Sequence, residues 1–110
     1  MEKTITLNDK EYRFKLTAAT TYIYRQKFGK DLIREFQRIT KNKKGEIPDS
    51  AVDTLSEVAY IAAKQADRSI TEDPAEWMDQ FSLMDFYNVI LPAVSALWQE
   101  SIQTTVKPKK

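Results

Sequence analysis

The sequence predicts a single α+β domain that is mainly helical, with an N-terminal β-hairpin packed on about four to five helices. The first residues alternate polar and apolar side chains as β-strands do, whereas most of the remaining chain repeats its apolar residues at helical spacing. With 110 residues, 42% of them apolar and 30% charged, the chain can build one hydrophobic core but not two. We therefore predict one domain over residues 1–103 and a flexible basic tail over residues 104–110.

The hairpin is predicted from two alternating stretches with a turn between them. Thr4–Leu7 and Glu11–Leu16 both alternate, and Asn8-Asp9-Lys10 supplies turn-forming residues. An isolated hairpin is only marginally stable in water, so we expect helices to cover its apolar side chains. These side chains are Ile5, Leu7, Tyr12, Phe14 and Leu16.

Two helices separated by a glycine are predicted next. Thr17 can cap a helix that runs to about Phe28, and Gly29 suits the left-handed conformation that ends many helices. Asp31 can cap a second helix that runs to about Thr40. Its buried stripe is predicted to contain Leu32, Ile33, Phe36 and Ile39.

The stretch from Arg38 to Glu46 is polar, lacks periodicity and predicts an exposed loop. Its cations can neutralise phosphates, which makes a small nucleic-acid-binding or regulatory protein the alternative function. Against that function, the loop has no interleaved aromatic residues and no helix-turn-helix pattern follows it. The candidate nucleic-acid contacts are Arg38, Lys41, Lys43 and Lys44.

A third helix is predicted to begin at Asp49 or Ser50. Tyr60 falls on the side opposite its apolar face, and it is therefore either a candidate partner contact or an ordinary exposed apolar residue. The apolar face repeats at the spacing of a buried helix and consists of Val52, Leu55, Val58, Ala59, Ala62 and Ala66.

A short helix is predicted from Pro74 to about Phe81, with Asp73 as its N-cap and Glu76 completing a capping box. Nearby carboxylates can also be interpreted as a metal or acid–base cluster. Capping and the helix dipole already account for carboxylates in a first helical turn, so we predict no catalytic or metal site here. The carboxylates concerned are Glu72, Asp73, Glu76 and Asp79.

The last helix is predicted to open at Ser82, with Asp85 in the capping position, and to kink or split at Pro92. Its core stripe is predicted to be Leu83, Phe86, Ile90, Val94 and Leu97, flanked by Tyr87 and Trp98. Large aromatic residues in this part of the chain either belong to the core or, if a pair stays exposed beside Pro92, capture an apolar partner segment. With Tyr60, the candidate partner-binding residues are Trp77, Phe81, Phe86 and Trp98.

Composition argues against an enzyme. The chain has no histidine and no cysteine, and its two glycines are isolated, so common catalytic bases, thiol nucleophiles, zinc ligands and phosphate-binding loops are missing. We expect no cofactor. We also expect a cytoplasmic protein without a membrane span, because no apolar run approaches about 20 residues and no signal-peptide pattern opens the sequence.

Charge is unevenly distributed. From Asp67 to Glu100 there are seven acidic residues against Arg68 alone, a local charge of −6, so the remainder carries +7. Such a distribution suits head-to-tail self-association or two different partners, and it equally suits solvated charge without a role.

Two stretches resemble a known family, the tail assembly chaperones of long-tailed bacteriophages and prophages of Gram-positive bacteria. The first is Leu16-Thr-Ala-Ala-Thr-Thr followed by Phe28-Gly-Lys-Asp, which is similar to the family's first helix and its glycine break. The second runs from Ala62-Ala-Lys-Gln-Ala-Asp through Trp77-Met-Asp-Gln-Phe to Leu91-Pro-Ala-Val-Ser-Ala-Leu-Trp98. With the hairpin, the likeness covers most of the chain.

This resemblance implies a non-enzymatic role. Such a chaperone keeps the long, aggregation-prone tape-measure protein soluble in the host cytoplasm, helps to recruit tail-tube subunits, and is absent from the mature virion. The family often also makes a longer product by translational frameshifting near the end of the first reading frame.

Overall fold

The computed structural model describes residues 1–40 and 49–102, and it confirms the α+β, mainly helical fold class. The predicted tail, 104–110, and residues 41–46 of the predicted loop lie outside the described residues. In chain order, the elements are β1 (Glu2–Leu7), β2 (Lys10–Lys15), α1 (Ala18–Phe28), α2 (Leu32–Thr40), α3 (Asp49–Ala66), α4 (Pro74–Met78), α5 (Leu83–Asp85), a π-helical turn (Phe86–Ile90) and α6 (Leu91–Ser101).

The predicted hairpin is confirmed, with a tighter turn than the sequence suggested. β1 and β2 pair antiparallel, and Lys10 pairs with Leu7 instead of lying in the turn. The turn consists of Asn8 and Asp9, whose φ angles are 52° and 66°. Two successive left-handed residues match the twist of paired strands, and Asn and Asp tolerate this conformation better than most residues.

Local capping sets the ends of α1 as predicted. The Thr17 side chain accepts a hydrogen bond from the Ala19 backbone N–H at the start of the helix. At the other end, Gly29 has a φ of 69°, and its N–H donates to the Arg25 carbonyl at 2.8 Å. Because Gly lacks a Cβ, it adopts this left-handed conformation without strain.

The stripe predicted for α2 is only partly correct. Leu32 and Phe36 are buried, whereas Ile33 is 44% exposed. Ile33 lies about 100° around the helix from Leu32, outside the face that packs on α3. The side chain of Ile39 is outside the described part of the chain.

α3 is the central element of the fold, since β2, α1, α2, α4 and α6 all pack against it. Its predicted face is buried at Leu55, Val58, Ala59 and Ala62, and burial extends further around the helix. The prediction that Tyr60 faces away from the core is wrong. Tyr60 is fully buried because the chain after α3 folds back over it, and its hydroxyl donates to the Thr71 carbonyl at 2.6 Å.

The start of α4 is confirmed, but its predicted capping box is not formed. The Asp73 side chain accepts from the Ala75 N–H at 3.1 Å. The Asp73 N–H donates to the Thr71 hydroxyl at 3.3 Å, and that hydroxyl donates to Glu76. Thr71 thus takes the place predicted for Glu76, and the helix ends at Met78, before the predicted Phe81.

The C-terminal helix begins as predicted, with the Ser82 hydroxyl accepting from the Asp85 N–H at 3.2 Å. Just before Pro92 the chain forms a π-helical turn in which the Leu91 N–H donates to the Phe86 carbonyl, five residues back. A π turn is a common way to accommodate a disturbed helical hydrogen-bond ladder. The core residues of this helix are Phe86, Ile90, Leu91, Val94, Leu97 and Trp98.

Leu83 does not belong to the core stripe predicted for this helix, because it is 71% exposed. The prediction extended an α-helical period from Leu97 back to Leu83. The wider π turn lies between them and changes the angular position of everything before it.

Candidate partner-binding groove

Trp77 lies at the centre of an aromatic cluster and is 4% exposed. Its ring centroid is 5.2 Å from that of Phe81, 6.0 Å from Tyr60, and 6.2 Å from both Phe14 and Phe86. All four pairs are edge-to-face, the arrangement that the charge distribution of aromatic rings favours. The cluster therefore forms a rigid layer that joins α3 and α4 to the hairpin and the C-terminal helix.

Trp98 is separate from this cluster. It is 5% exposed and stacks on Phe36 with ring centroids 4.1 Å apart and an angle of 14° between the planes, which joins α6 to α2. Of the five candidate partner-binding residues, Tyr60, Trp77, Phe86 and Trp98 are thus buried, and only Phe81 is half-exposed. None of the aromatic residues Trp77, Phe81, Phe86 and Trp98 is fully exposed, so the exposed aromatic pair considered beside Pro92 is not present.

Instead, the surface beside this cluster carries a groove of about 580 Å³, which we call the acidic groove. It lies between the end of α1, the first half of α3, α4 and the start of the C-terminal helix, and Phe86 is part of its wall. Leu83 and Tyr87 line it and are 71% and 42% exposed. Its half-buried apolar lining consists of Phe28, Val52, Met78 and Phe81.

Three carboxylates give the acidic groove its charge: Asp53 and Glu57 from α3, and Asp79 from the end of α4. One oxygen of Glu57 accepts from the Tyr24 hydroxyl at 2.6 Å and from Lys30 Nζ at 3.2 Å. Burial, strengthened by the hydrogen bond to Glu57, raises the pKa of Tyr24 and keeps its phenol protonated as a donor. Within the described residues, neither Asp53 nor Asp79 forms an ion pair, and no cation lines the groove.

A second groove, of about 720 Å³, lies between α1, the second half of α3 and Glu72, and we call it the basic groove. Lys27 Nζ donates to the Glu72 carbonyl at 2.8 Å and lies 5.5 Å from the centre of the Tyr60 ring. Lys64 Nζ donates to the Ile70 carbonyl and pairs with the Glu72 carboxylate at 3.1 Å. The cations that line this groove are Lys15, Lys27, Lys64 and Arg68.

Three of the four carboxylates weighed as a metal or acid–base cluster have structural contacts, and the fourth, Asp79, lines the acidic groove. Asp73 caps α4, Glu76 accepts from Thr71, and Glu72 pairs with Lys64. In residues 1–40 and 49–102, no three acidic side chains are grouped so that they could hold a metal ion. Over the same residues, no helix combines the length and apolarity needed to cross a membrane.

The candidate nucleic-acid contacts Lys41, Lys43 and Lys44, and the side chain of Arg38, lie outside the described residues. The alternative function that depends on them stays a prediction.

The sequence contained part of the signal for the acidic groove. Asp53 and Glu57 are four residues apart, which places two carboxylates on one face of α3. The contribution of Asp79, Leu83 and Tyr87 depends on how α4 and the π turn pack, and no local pattern indicates it.

A scan against known protein families and searches of curated proteins and of solved structures find no match to this chain.

Proposed function

We propose that this protein is a non-enzymatic phage tail assembly chaperone that binds the tape-measure protein and assists tail-tube assembly in the bacterial cytoplasm. The observation that supports this function is the acidic groove, an open and partly apolar surface whose lining includes the exposed side chains of Leu83 and Tyr87. Neighbouring apolar groups left in contact with water are typical of a protein-binding surface. The family resemblance supplies the identity of the partner.

The aromatic cluster gives this surface a rigid base. Phe81 and Phe86 line the groove, and both contact the buried ring of Trp77. A groove that exists before binding avoids the entropic cost of ordering side chains when the partner arrives. The buried aromatic residues thus act on binding by holding the groove in shape, while Phe81, Leu83 and Tyr87 touch the partner.

A small groove suits a chaperone that acts in many copies. Each copy covers a short apolar stretch of a long partner, so solubility comes from the number of bound copies instead of from tight binding by any one of them. Modest affinity per copy also allows release when tail-tube subunits replace the chaperone on the tape-measure protein. On this proposal, a small domain without histidine or cysteine assists assembly by binding alone and then leaves the particle.

The test is co-expression of the full chain with the tape-measure protein of its own genome. We expect the tape-measure protein to stay soluble and to co-purify at both low and high salt, because apolar contacts are not screened. A tape-measure protein that aggregates regardless of this chain would contradict the proposal. Salt-sensitive retention of nucleic acid in its place would favour the alternative function, which relies on Arg38, Lys41, Lys43 and Lys44.

A further inference from the structure

We propose that the acidic groove selects an amphipathic helix whose apolar stripe is flanked by lysine or arginine residues. This inference rests on the proposed function and deepens it, because it names the chemistry of the partner segment that the groove holds. Its basis is the shape, the apolar lining and the unpaired charge of the groove.

The size of the groove fits one face of a short stretch of helix. Two turns of helix, about 11 Å long and 10–12 Å wide, occupy about 850–1,200 Å³. The groove has a volume of about 580 Å³, so it holds roughly half of such a segment. A helix that lies half in the groove buries one stripe, made by apolar residues at i, i+3 or i+4, and i+7.

The apolar lining matches a stripe of this kind. Leu83 and Tyr87 both line the groove, and their side chains are exposed. Met78 and Phe81 add half-buried surface beside them. Together they provide two large exposed side chains for contact with the partner and a floor that is already packed.

The charge of the groove determines what can flank that stripe. Asp53 and Glu57 are neighbours on α3, and Asp79 reaches the same groove from the end of α4. Lys30 contacts only one oxygen of Glu57, and within the described residues Asp53 and Asp79 have no cationic partner. A helix with acidic flanks would bring like charges together, whereas basic flanks would pair with carboxylates that the fold leaves in water.

A second copy of this chain is a poorer occupant. Among the described residues, the basic groove is one cationic surface that a second copy could offer, and two of its four cations, Lys27 and Lys64, already donate to backbone carbonyls of their own chain. Docking there would replace these internal bonds instead of adding new ones. A separate partner with free lysine or arginine side chains gains the full interaction.

Two synthetic peptides of about 18 residues, or five helical turns, test the inference. They share one leucine stripe at i, i+3, i+4 and i+7 spacing, and they carry either lysine or glutamate at the flanking positions. We expect the full chain to bind the lysine peptide about tenfold more tightly at low salt, and the difference to shrink as salt screens the charges. Fluorescence anisotropy of labelled peptides measures both affinities.

Paired variants separate the groove from the net charge. Asp53→Asn combined with Asp79→Asn should remove most of the preference for the lysine peptide while leaving the fold intact, because both residues are exposed. Glu11→Gln combined with Glu100→Gln makes the same change in net charge at exposed positions outside the groove. This control pair should keep the preference.

Equal binding of the two peptides, tighter binding of the glutamate peptide, or equal loss of preference in both variant pairs overturns the inference. Concentration-dependent self-association that Asp53→Asn and Asp79→Asn abolish would also overturn it, by assigning the groove to a second copy. If wild-type protein keeps the tape-measure protein soluble while both peptides bind equally, only this inference fails. If the tape-measure protein aggregates while the lysine peptide is preferred, the proposed function fails and the selectivity stands.

Discussion

The acidic groove and the basic groove both use α3, but they differ in what their charges contact. In the basic groove, Lys27 and Lys64 donate to carbonyl groups of the α3–α4 connection. In the acidic groove, Asp53 and Asp79 pair with no cation in the described part of the chain. The two lysines therefore stabilise the fold, whereas the two aspartates remain available to a partner.

This difference shows that the sign of a surface charge does not by itself identify a binding surface. A bonded ammonium group must give up its internal partners before it can bind another group, which cancels much of the gain. An unpaired carboxylate beside exposed apolar side chains has no such contact to lose. Variants that change one groove at a time should therefore separate effects on stability from effects on binding.

The largest expected effect is on the free energy of unfolding, when the buried tryptophan beneath the acidic groove is removed. Trp77→Ala should lower the free energy of unfolding by about 3–5 kcal/mol, because it removes a buried aromatic side chain and leaves a cavity. Trp98→Ala should cost a similar amount, but at the α2–α6 contact, away from the groove. Denaturant unfolding measures both, and peptide binding by the folded fraction should fall only for Trp77→Ala. A loss below about 1 kcal/mol would show that the site repacks.

The exposed residues that line the acidic groove, Leu83 and Tyr87, should affect binding more than stability. Leu83→Ser combined with Tyr87→Ser should weaken binding of the lysine peptide about 30-fold, or about 2 kcal/mol, since two apolar contacts are lost. Stability should change by less than about 1 kcal/mol, because neither side chain is buried in the core. Tyr22→Ser, an exposed tyrosine on α1 outside both grooves, is the matched control. Unchanged affinity in the double variant would exclude these two side chains as the contact.

In the basic groove, Lys64→Met should lower stability by about 1 kcal/mol, because it deprives the Ile70 carbonyl of its donor while keeping the apolar stem of the side chain. Peptide binding should not change. Arg68→Met removes an exposed guanidinium group that donates no hydrogen bond within the described residues and keeps the Arg68 carbonyl, so it should leave both quantities unaltered. Thermal unfolding and anisotropy distinguish the two variants, and a binding defect in Lys64→Met would break the proposed division between the grooves.

The smallest effect concerns Tyr60, which lies against Lys27. Tyr60→Phe should cost about 0.5–1 kcal/mol near neutral pH, through loss of the hydrogen bond to Thr71. Burial raises the pKa of Tyr60, with smaller contributions from Glu72 and Asp73. The neutral phenol therefore stabilises the fold below the unfolded pKa of about 10, and this contribution is lost as pH rises through the higher folded value.

The free energy of unfolding, measured across this alkaline pH range, tests whether ionisation of the Tyr60 phenol destabilises the fold. Stability should fall with rising pH more steeply in the wild type than in Tyr60→Phe, and Tyr22→Phe at an exposed site should follow the wild type. Parallel curves for the wild type and Tyr60→Phe would contradict the effect of burial on this phenol.

Elements that depend on neighbouring residues were predictable from the sequence. The position of the hairpin turn, though not its exact length, was predicted; Thr17 and Gly29 bound α1, and Ser82 starts the C-terminal helix, because each acts on backbone groups within a few residues. The predictions for Tyr60 and Leu83 failed for the opposite reason. One depends on a segment that returns across α3, and the other on a π turn that shifts the helical period.

The sequence by itself determined the fold class and most helix ends, since alternation, periodicity and capping are local properties, whereas the hairpin register, with Lys10 paired to Leu7, came only from the structure. Tertiary structure alone decided which aromatic residues are buried and where the apolar surface stays open. Trp77 and Trp98 both lie in helices, yet each becomes core only because distant rings, such as Phe14 and Phe36, reach it. The acidic groove arises in the same way, from side chains of four separate elements that only packing brings together.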